Sequence, residues 1–127
     1  MKVLLDTNFI LTCAKEKIDF DSLANEIFDE KIEWIVPCEV LNEIEKIKNS
    51  SGPGSKERLS SQLCLEILKS IKPQIVKLGG KSPNIDVRII NYLRGKNIIL
   101  ATLDKELKKR AGGKILTLRG KKKLEIT

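Results

Sequence analysis

Residues 3–9 read VLLDTNF: three apolar side chains run into a carboxylate, two small polar residues and a phenylalanine. Val3, Leu4 and Leu5, with Lys2 before them, form an apolar run too short for a helix of its own and read as a buried strand. The charge at the end of that strand has two explanations. Aspartate is a favoured helix N-cap and sits well at the positive end of a helix dipole. In open parallel sheets, however, ligands bind beyond the carboxyl ends of the strands, where a carboxylate has chemical use. Asp6 alone does not choose between them.

The rest of the chain repeats the pattern that opens at Val3. A short helix is expected from Asn8, and a second over DSLANEIFDE, where Leu23, Ile27 and Phe28 recur at helical spacing behind the cap candidate Asp21. EWIVP is a strand ended by Pro37. CEVLNEIEKIK is a helix carrying Val40, Leu41, Ile44 and Ile47 on one face. NSSGPGSKE, around residues 49–57, is rich in serine, glycine and proline and reads as a mobile surface loop. A helix with Cys64, Ile67, Leu68 and Ile71 follows, then a short strand at QIVKL and a turn at GGKSPN. IDVRIINYLR is a helix capped by Asn84, NIILAT a strand, DKELKKRA a helix and KILTL a strand, with KKLEI a candidate edge strand. Strands alternating with helices predict a single α/β domain over residues 1–127. Its central, largely parallel sheet of four to five strands is flanked by helices in three layers.

Composition limits the chemistry. Apolar residues make up 41% of the 127, enough for one core, and no segment approaches the ~18 uninterrupted apolar residues of a membrane span. The N-terminus lacks a signal-peptide layout, so a soluble cytoplasmic protein is expected. Cys13, Cys38 and Cys64 form no C-x-x-C pair and read as buried small hydrophobes. There is no histidine, which removes imidazole acid–base catalysis, Ser-His-Asp and Cys-His nucleophiles, and imidazole metal ligands. Any catalysis falls to carboxylates, lysines, hydroxyls and a metal. Charge divides by halves: residues 1–63 carry 8 basic and 12 acidic side chains, residues 64–127 carry 16 and 5. In KELKKRAGGKILTLRGKKK, residues 105–123, Glu106 is the only acid. That surface predicts a polyanionic partner, nucleic acid first. Lys105, Lys108, Lys109, Arg110, Arg119, Lys121, Lys122 and Lys123 are the candidate contacts.

Three further places put a carboxylate at a structural joint. Asp104 follows NIILAT and opens a helix, as Asp6 follows its strand. On a helical wheel started at Ile85, Ile89 falls at ~40°, Leu93 at ~80° and Ile90 at ~140°, while Asp86 falls at ~100°, inside the apolar arc. A carboxylate turned that way needs partners or a cation. The helix after Pro37 offers Glu39, Glu43 and Glu45; Glu43 and Glu45 lie at opposite borders of its apolar stripe, and periodicity does not say which faces the sheet.

DTN at the first strand end, VLNE after a strand and proline, an isolated aspartate opening a helix, and TLDKEL form an ordered set that resembles the PIN-domain nucleases. The resemblance spans essentially the whole chain and is greatest to archaeal PIN proteins akin to the small-subunit ribosomal RNA processing nucleases. It implies that Asp6, Glu43, Asp86 and Asp104 are the catalytic, metal-binding acids. Asn8 and Thr102 match supporting polar positions, with Glu106 a possible accessory acid. One position departs from the family: some relatives carry two adjacent acids where this chain has Ile85–Asp86.

The chemistry implied is RNA phosphodiester hydrolysis by a metal-dependent endoribonuclease. Crowded carboxylates repel unless a cation neutralises them, and hard oxygen ligands suit Mg²⁺ or Mn²⁺. Such ions activate water and stabilise the leaving oxygen of an in-line displacement. The implied partners are RNA, in rRNA or other RNA processing with a pre-ribosomal particle, and a second copy in a homodimer. Two alternatives stay open: a VapC-type toxin ribonuclease restrained by an antitoxin, and a non-catalytic RNA-binding factor on the same scaffold. A receiver domain would need a phosphorylatable aspartate that QIVKL lacks. A haloacid-dehalogenase-type phosphatase would want D-x-D where this chain has Asn8.

Overall fold

The computed structural model describes residues 1–120 and 123–127. Twelve elements follow in order. The first six are β1 (Lys2–Leu5), α1 (Thr7–Lys15), α2 (Phe20–Ile27), β2 (Glu33–Pro37), α3 (Cys38–Ser50) and α4 (Lys56–Ile71). The second six are β3 (Gln74–Val76), α5 (Ile85–Leu93), β4 (Ile98–Ala101), α6 (Lys105–Ala111), β5 (Ile115–Arg119) and β6 (Lys123–Ile126).

The strands form one sheet in the order β3-β2-β1-β4-β5-β6. All neighbours are parallel except β5 and β6, which pair antiparallel. The sheet has six strands, more than the four to five expected. The two edges, read in the sequence as a short strand at QIVKL and a candidate strand at KKLEI, are both present and carry the weakest signals: β3 is three residues long, and β6 lies in a lysine-rich tail. Pairing supplies what pattern does not, since the register sets Leu118 opposite Leu124.

β1 shows why the layers separate. Side chains alternate across a strand, so Val3 and Leu5 enter the core shared with α1, α2, α3 and α4, while Leu4 enters the second core with Ile89 of α5 and Leu107 of α6. In the first core Phe9, Phe20 and Trp34 stack edge to face, with centroids 5.7 and 5.1 Å apart. The Trp34 indole donates to Asp21 Oδ1 at 2.7 Å. Asp21 is therefore not the cap of α2. Asp19 is, accepting from the Ser22 amide at 3.1 Å.

The serine- and glycine-rich connection is shorter than the sequence suggested. α3 runs through Asn49 and Ser50 and α4 begins at Lys56 behind its cap Ser55, leaving residues 51–55 between them. Cys13 and Cys64 are fully buried, with burial pushing both thiols up to about 12. Cys38 is half-buried and instead donates to Glu39 Oε1 at 3.3 Å. No helix among the described residues is long and apolar enough to cross a membrane.

Candidate active site

β1 lies between β2 and β4, so successive crossovers leave it in opposite directions. A parallel sheet opens a crevice beyond its strand ends at such a switch point. Here Asp6, Thr7, Asn8, Glu43, Pro83, Asn84, Ile85, Asp86 and Asp104 line a cleft of about 320 Å³. The four expected carboxylates thus meet in one place, carried by four different helices or their caps.

Register explains the pair at the base. Leu5 stands opposite Ala101, which makes Asp6 and Thr102 the next residues on adjacent strands. The Thr102 hydroxyl donates to Asp6 Oδ2 at 2.8 Å, and the Thr7 amide donates to Oδ1 at 2.8 Å. The same Thr102 oxygen accepts from the Asp104 amide at 3.1 Å, joining the two strand ends through one hydroxyl. Asp6 caps α1 and Asp104 caps α6, the latter by accepting from the Glu106 and Leu107 amides with Oδ1. Capping does not exhaust these carboxylates. Asp104 caps with one oxygen, and each Asp6 oxygen, with one hydrogen bond, retains a free lone pair.

Glu43 reaches the cleft because α3 starts directly after Pro37 and packs against α1, bringing its second turn to Thr7. The Thr7 hydroxyl donates to Glu43 Oε2 at 2.9 Å. Glu45 is exposed and lines a separate groove between α3 and α4. Packing resolves what periodicity left open. Thr7 is the residue that sequence reasoning missed, and its only signal is its place inside DTN.

Asp86 is half-buried behind the cap Asn84, whose side chain accepts the Asp86 amide at 2.9 Å. Its own carboxylate makes no hydrogen bond or ion pair among the described residues. Burial first, then the charges of Asp104 and Glu43, push its pKa up against the opposing pull of Arg110. Asp6 is raised to about 6, chiefly because it is buried; the bonds from Thr102 and Thr7 pull it down, and Asp86 and Glu43 push it up.

Asn8 is exposed at the rim, and Thr102 lies beneath the floor. Glu106 is exposed on α6 and does not line the cleft. Of the basic candidates, Lys105, Lys109, Arg110, Arg119 and Lys123 are exposed. Lys108 is tied back to the Thr117 hydroxyl at 2.8 Å, and Arg119 lies 4.0 Å from Glu125. Lys121 and Lys122 fall outside the described residues.

The donor set is all oxygen. None of its four carboxylates is paired with a lysine or arginine among the described residues. Nor do any three acidic or thiol side chains there stand close enough together to make a ready-formed ligand set. The cleft is thus an open array of acids with uncompensated charge, which suits a hard divalent cation chemically and leaves room for solvent and substrate.

The fold and this cleft define a class that comparison with known proteins makes explicit. The family model described as PIN like domain matches residues 3–121. The chain belongs to that family. Ribonuclease VapC4 of Methanocaldococcus jannaschii is 32% identical over 130 residues, spanning 98% of this chain and 95% of the relative. The structure of the PIN domain endonuclease Utp24 matches with a TM-score of 0.77 at 27% identity, covering 98% of this chain and 90% of that one. A domain of a functionally unknown protein from Methanocaldococcus jannaschii shares the fold, with a TM-score of 0.60 at 21% identity and coverage of 94% and 91%.

Proposed function

We propose that this chain is a metal-dependent endoribonuclease whose active site is the cleft at the carboxyl ends of β1 and β4. The observation that carries the reading is the convergence of Asp6, Glu43, Asp86 and Asp104 on one cleft with no lysine or arginine among the described residues paired to them. Similarity to a ribonuclease and to a PIN endonuclease over nearly the whole chain supports it. These four acids would hold Mg²⁺ or Mn²⁺. When bound, the ion would neutralise phosphodiester oxygens and make a bound water acidic enough to act as nucleophile near neutral pH.

The chain's own groups supply position. Thr102 and the Thr7 amide fix both oxygens of Asp6, and the Thr7 hydroxyl fixes Glu43. Asn8 and Asn84 at the rim offer amides to phosphate or ribose hydroxyls. The exposed cations of α6 and β6 hold the RNA backbone. The substrate is an RNA met in rRNA or other RNA processing. A second reading, a VapC-type toxin acting with an antitoxin partner, is favoured by the likeness to VapC4. Growth arrest on expression, relieved by the product of a neighbouring gene, distinguishes the two.

The test is incubation of labelled structured RNA with the protein in Mn²⁺, in Mg²⁺ and in chelator, beside folded Asp6→Asn and Asp104→Asn variants. Metal-dependent cleavage falling at least ~100-fold in both variants is expected. Cleavage that survives both substitutions contradicts the site. Salt-sensitive binding without cleavage by all three proteins identifies a non-catalytic RNA-binding factor.

A further inference from the structure

Glu39 lies one helical turn before Glu43 on the same face of α3, yet it is absent from the cleft lining. Instead it meets Arg88 of α5. Arg88 Nη2 donates to Glu39 Oε2 at 2.7 Å, and Arg88 Nε donates to the Gly79 carbonyl at 2.6 Å. The Leu78 amide is shared between both Glu39 oxygens at 3.2 Å each. The Glu39 side chain is 12% exposed and that of Arg88 21%, so water screens this pair far less than a surface one. The loop wraps the pair: Gly79 and Gly80 take φ of 74° and 80°, and a Cβ at Gly80 would lie 3.6 Å from Arg88 Cγ.

Resting on the nuclease reading above, we propose that the Glu39–Arg88 pair is a positioning element that sets α5 against α3 and so holds Asp86 across the cleft from Glu43. Three segments are joined by this one ion pair: α3, which carries Glu43; the loop from Leu78, which leads to the rim residues Pro83 and Asn84; and α5, whose first turn carries Asp86. The acids do not form a closed cluster by themselves. Their separation is therefore set by what locks the helices, and here the lock is a planar fork that bonds a carboxylate and a carbonyl in fixed directions. Neither residue of the pair lines the cleft. It acts as an outer-shell partner, of the kind whose loss weakens metal affinity or activity by ~10–100-fold.

The test compares wild type, Glu39→Gln and Arg88→Met, with Leu68→Ala as a variant destabilised by packing alone, away from the cleft. Three readouts are taken: Mn²⁺ affinity by titration calorimetry, kcat and KM on one RNA, and amide hydrogen exchange over residues 78–87. Expected in both pair variants are Mn²⁺ binding and kcat lowered at least ~10-fold, KM within about threefold, and faster exchange at Leu78 and Asp86. Leu68→Ala should keep wild-type affinity and kcat below its melting temperature. Wild-type Mn²⁺ affinity and kcat in both pair variants overturn the proposal, as does a rise in KM alone, which would make Arg88 an RNA contact. A wild-type protein that neither binds Mn²⁺ nor cleaves RNA fails the nuclease reading. The exchange readout needs neither metal nor turnover, and unchanged protection at residues 84–87 in both variants overturns the positioning role in that case as well.

Discussion

Asp6 carries the tension of the site in one residue. It is 5% exposed, accepts two hydrogen bonds and forms no ion pair among the described residues. Burial therefore lifts its pKa from 3.8 to about 6. A raised carboxylate means that the folded state holds its proton more tightly than the unfolded chain. Without metal, stability then falls as pH rises between about 4 and 6, and the whole penalty is present above that window. A displacement of this size corresponds to roughly 2–3 kcal/mol. Asp6→Asn, neutral and nearly isosteric, should melt higher than wild type at pH 7 in chelator, with the gap closing toward pH 4. Melting curves that stay parallel across that range would show that Asp6 is not the uncompensated charge described here. The sequence exposed this residue because a charge stood at a strand end. It hid Thr7, since a small polar residue after a cap looks the same whether it faces solvent or, as here, Glu43.

At the scale of elements, hydrophobic period placed the helices and strands, and its limits are visible in α3 and α2. Glu43 and Glu45 border the same stripe from opposite sides, and only the packing of α3 between α1 and α4 sends one to the cleft and the other to the α4 groove. Asp21, read from the sequence as the cap of α2, is claimed by the Trp34 indole through a contact 13 residues away in the chain, and Asp19 caps the helix instead. α6 shows a different division of labour. Asp104 holds its N-terminus with one oxygen, Leu107 anchors it in the second core, and Lys105, Lys109 and Arg110 face outward. If these three contact the RNA backbone, reversing all three charges should weaken binding and lower the slope of log K against log salt by about 2, at ~0.7 per phosphate contact on single strands. Filter binding across a salt series measures it. A slope equal to wild type places the RNA elsewhere. Lys108, occupied by Thr117, should contribute less than its neighbours.

For the whole molecule, alternation of strand and helix was enough to read the parallel α/β class, and the order of the sheet explains why the acids meet. Asp6 and Asp104 lie nearly 100 residues apart in the chain but on adjacent strand ends, because β1 is central and β4 is its neighbour. Sequence does not print strand order, so the resemblance to PIN-domain nucleases, more than periodicity, brought the four carboxylates together before the structure did. The edge strands were the least legible part, since a three-residue strand and a lysine-rich tail derive their order from their partners. The result is a molecule with net charge +7 and a cleft whose lining, among the described residues, carries four acids and no base. Under the proposed function a divalent cation would reconcile the two, letting a polyanion held by the basic half approach an acidic cleft. The most direct measurement is an anomalous difference map from crystals soaked in Mn²⁺ at neutral pH. The account predicts a peak in the cleft contacted by Asp6 and at least one of Glu43, Asp86 and Asp104, absent in Asp6→Asn crystals. Well-ordered crystals with no peak there at saturating Mn²⁺, or with Mn²⁺ bound only at other carboxylates, would contradict it.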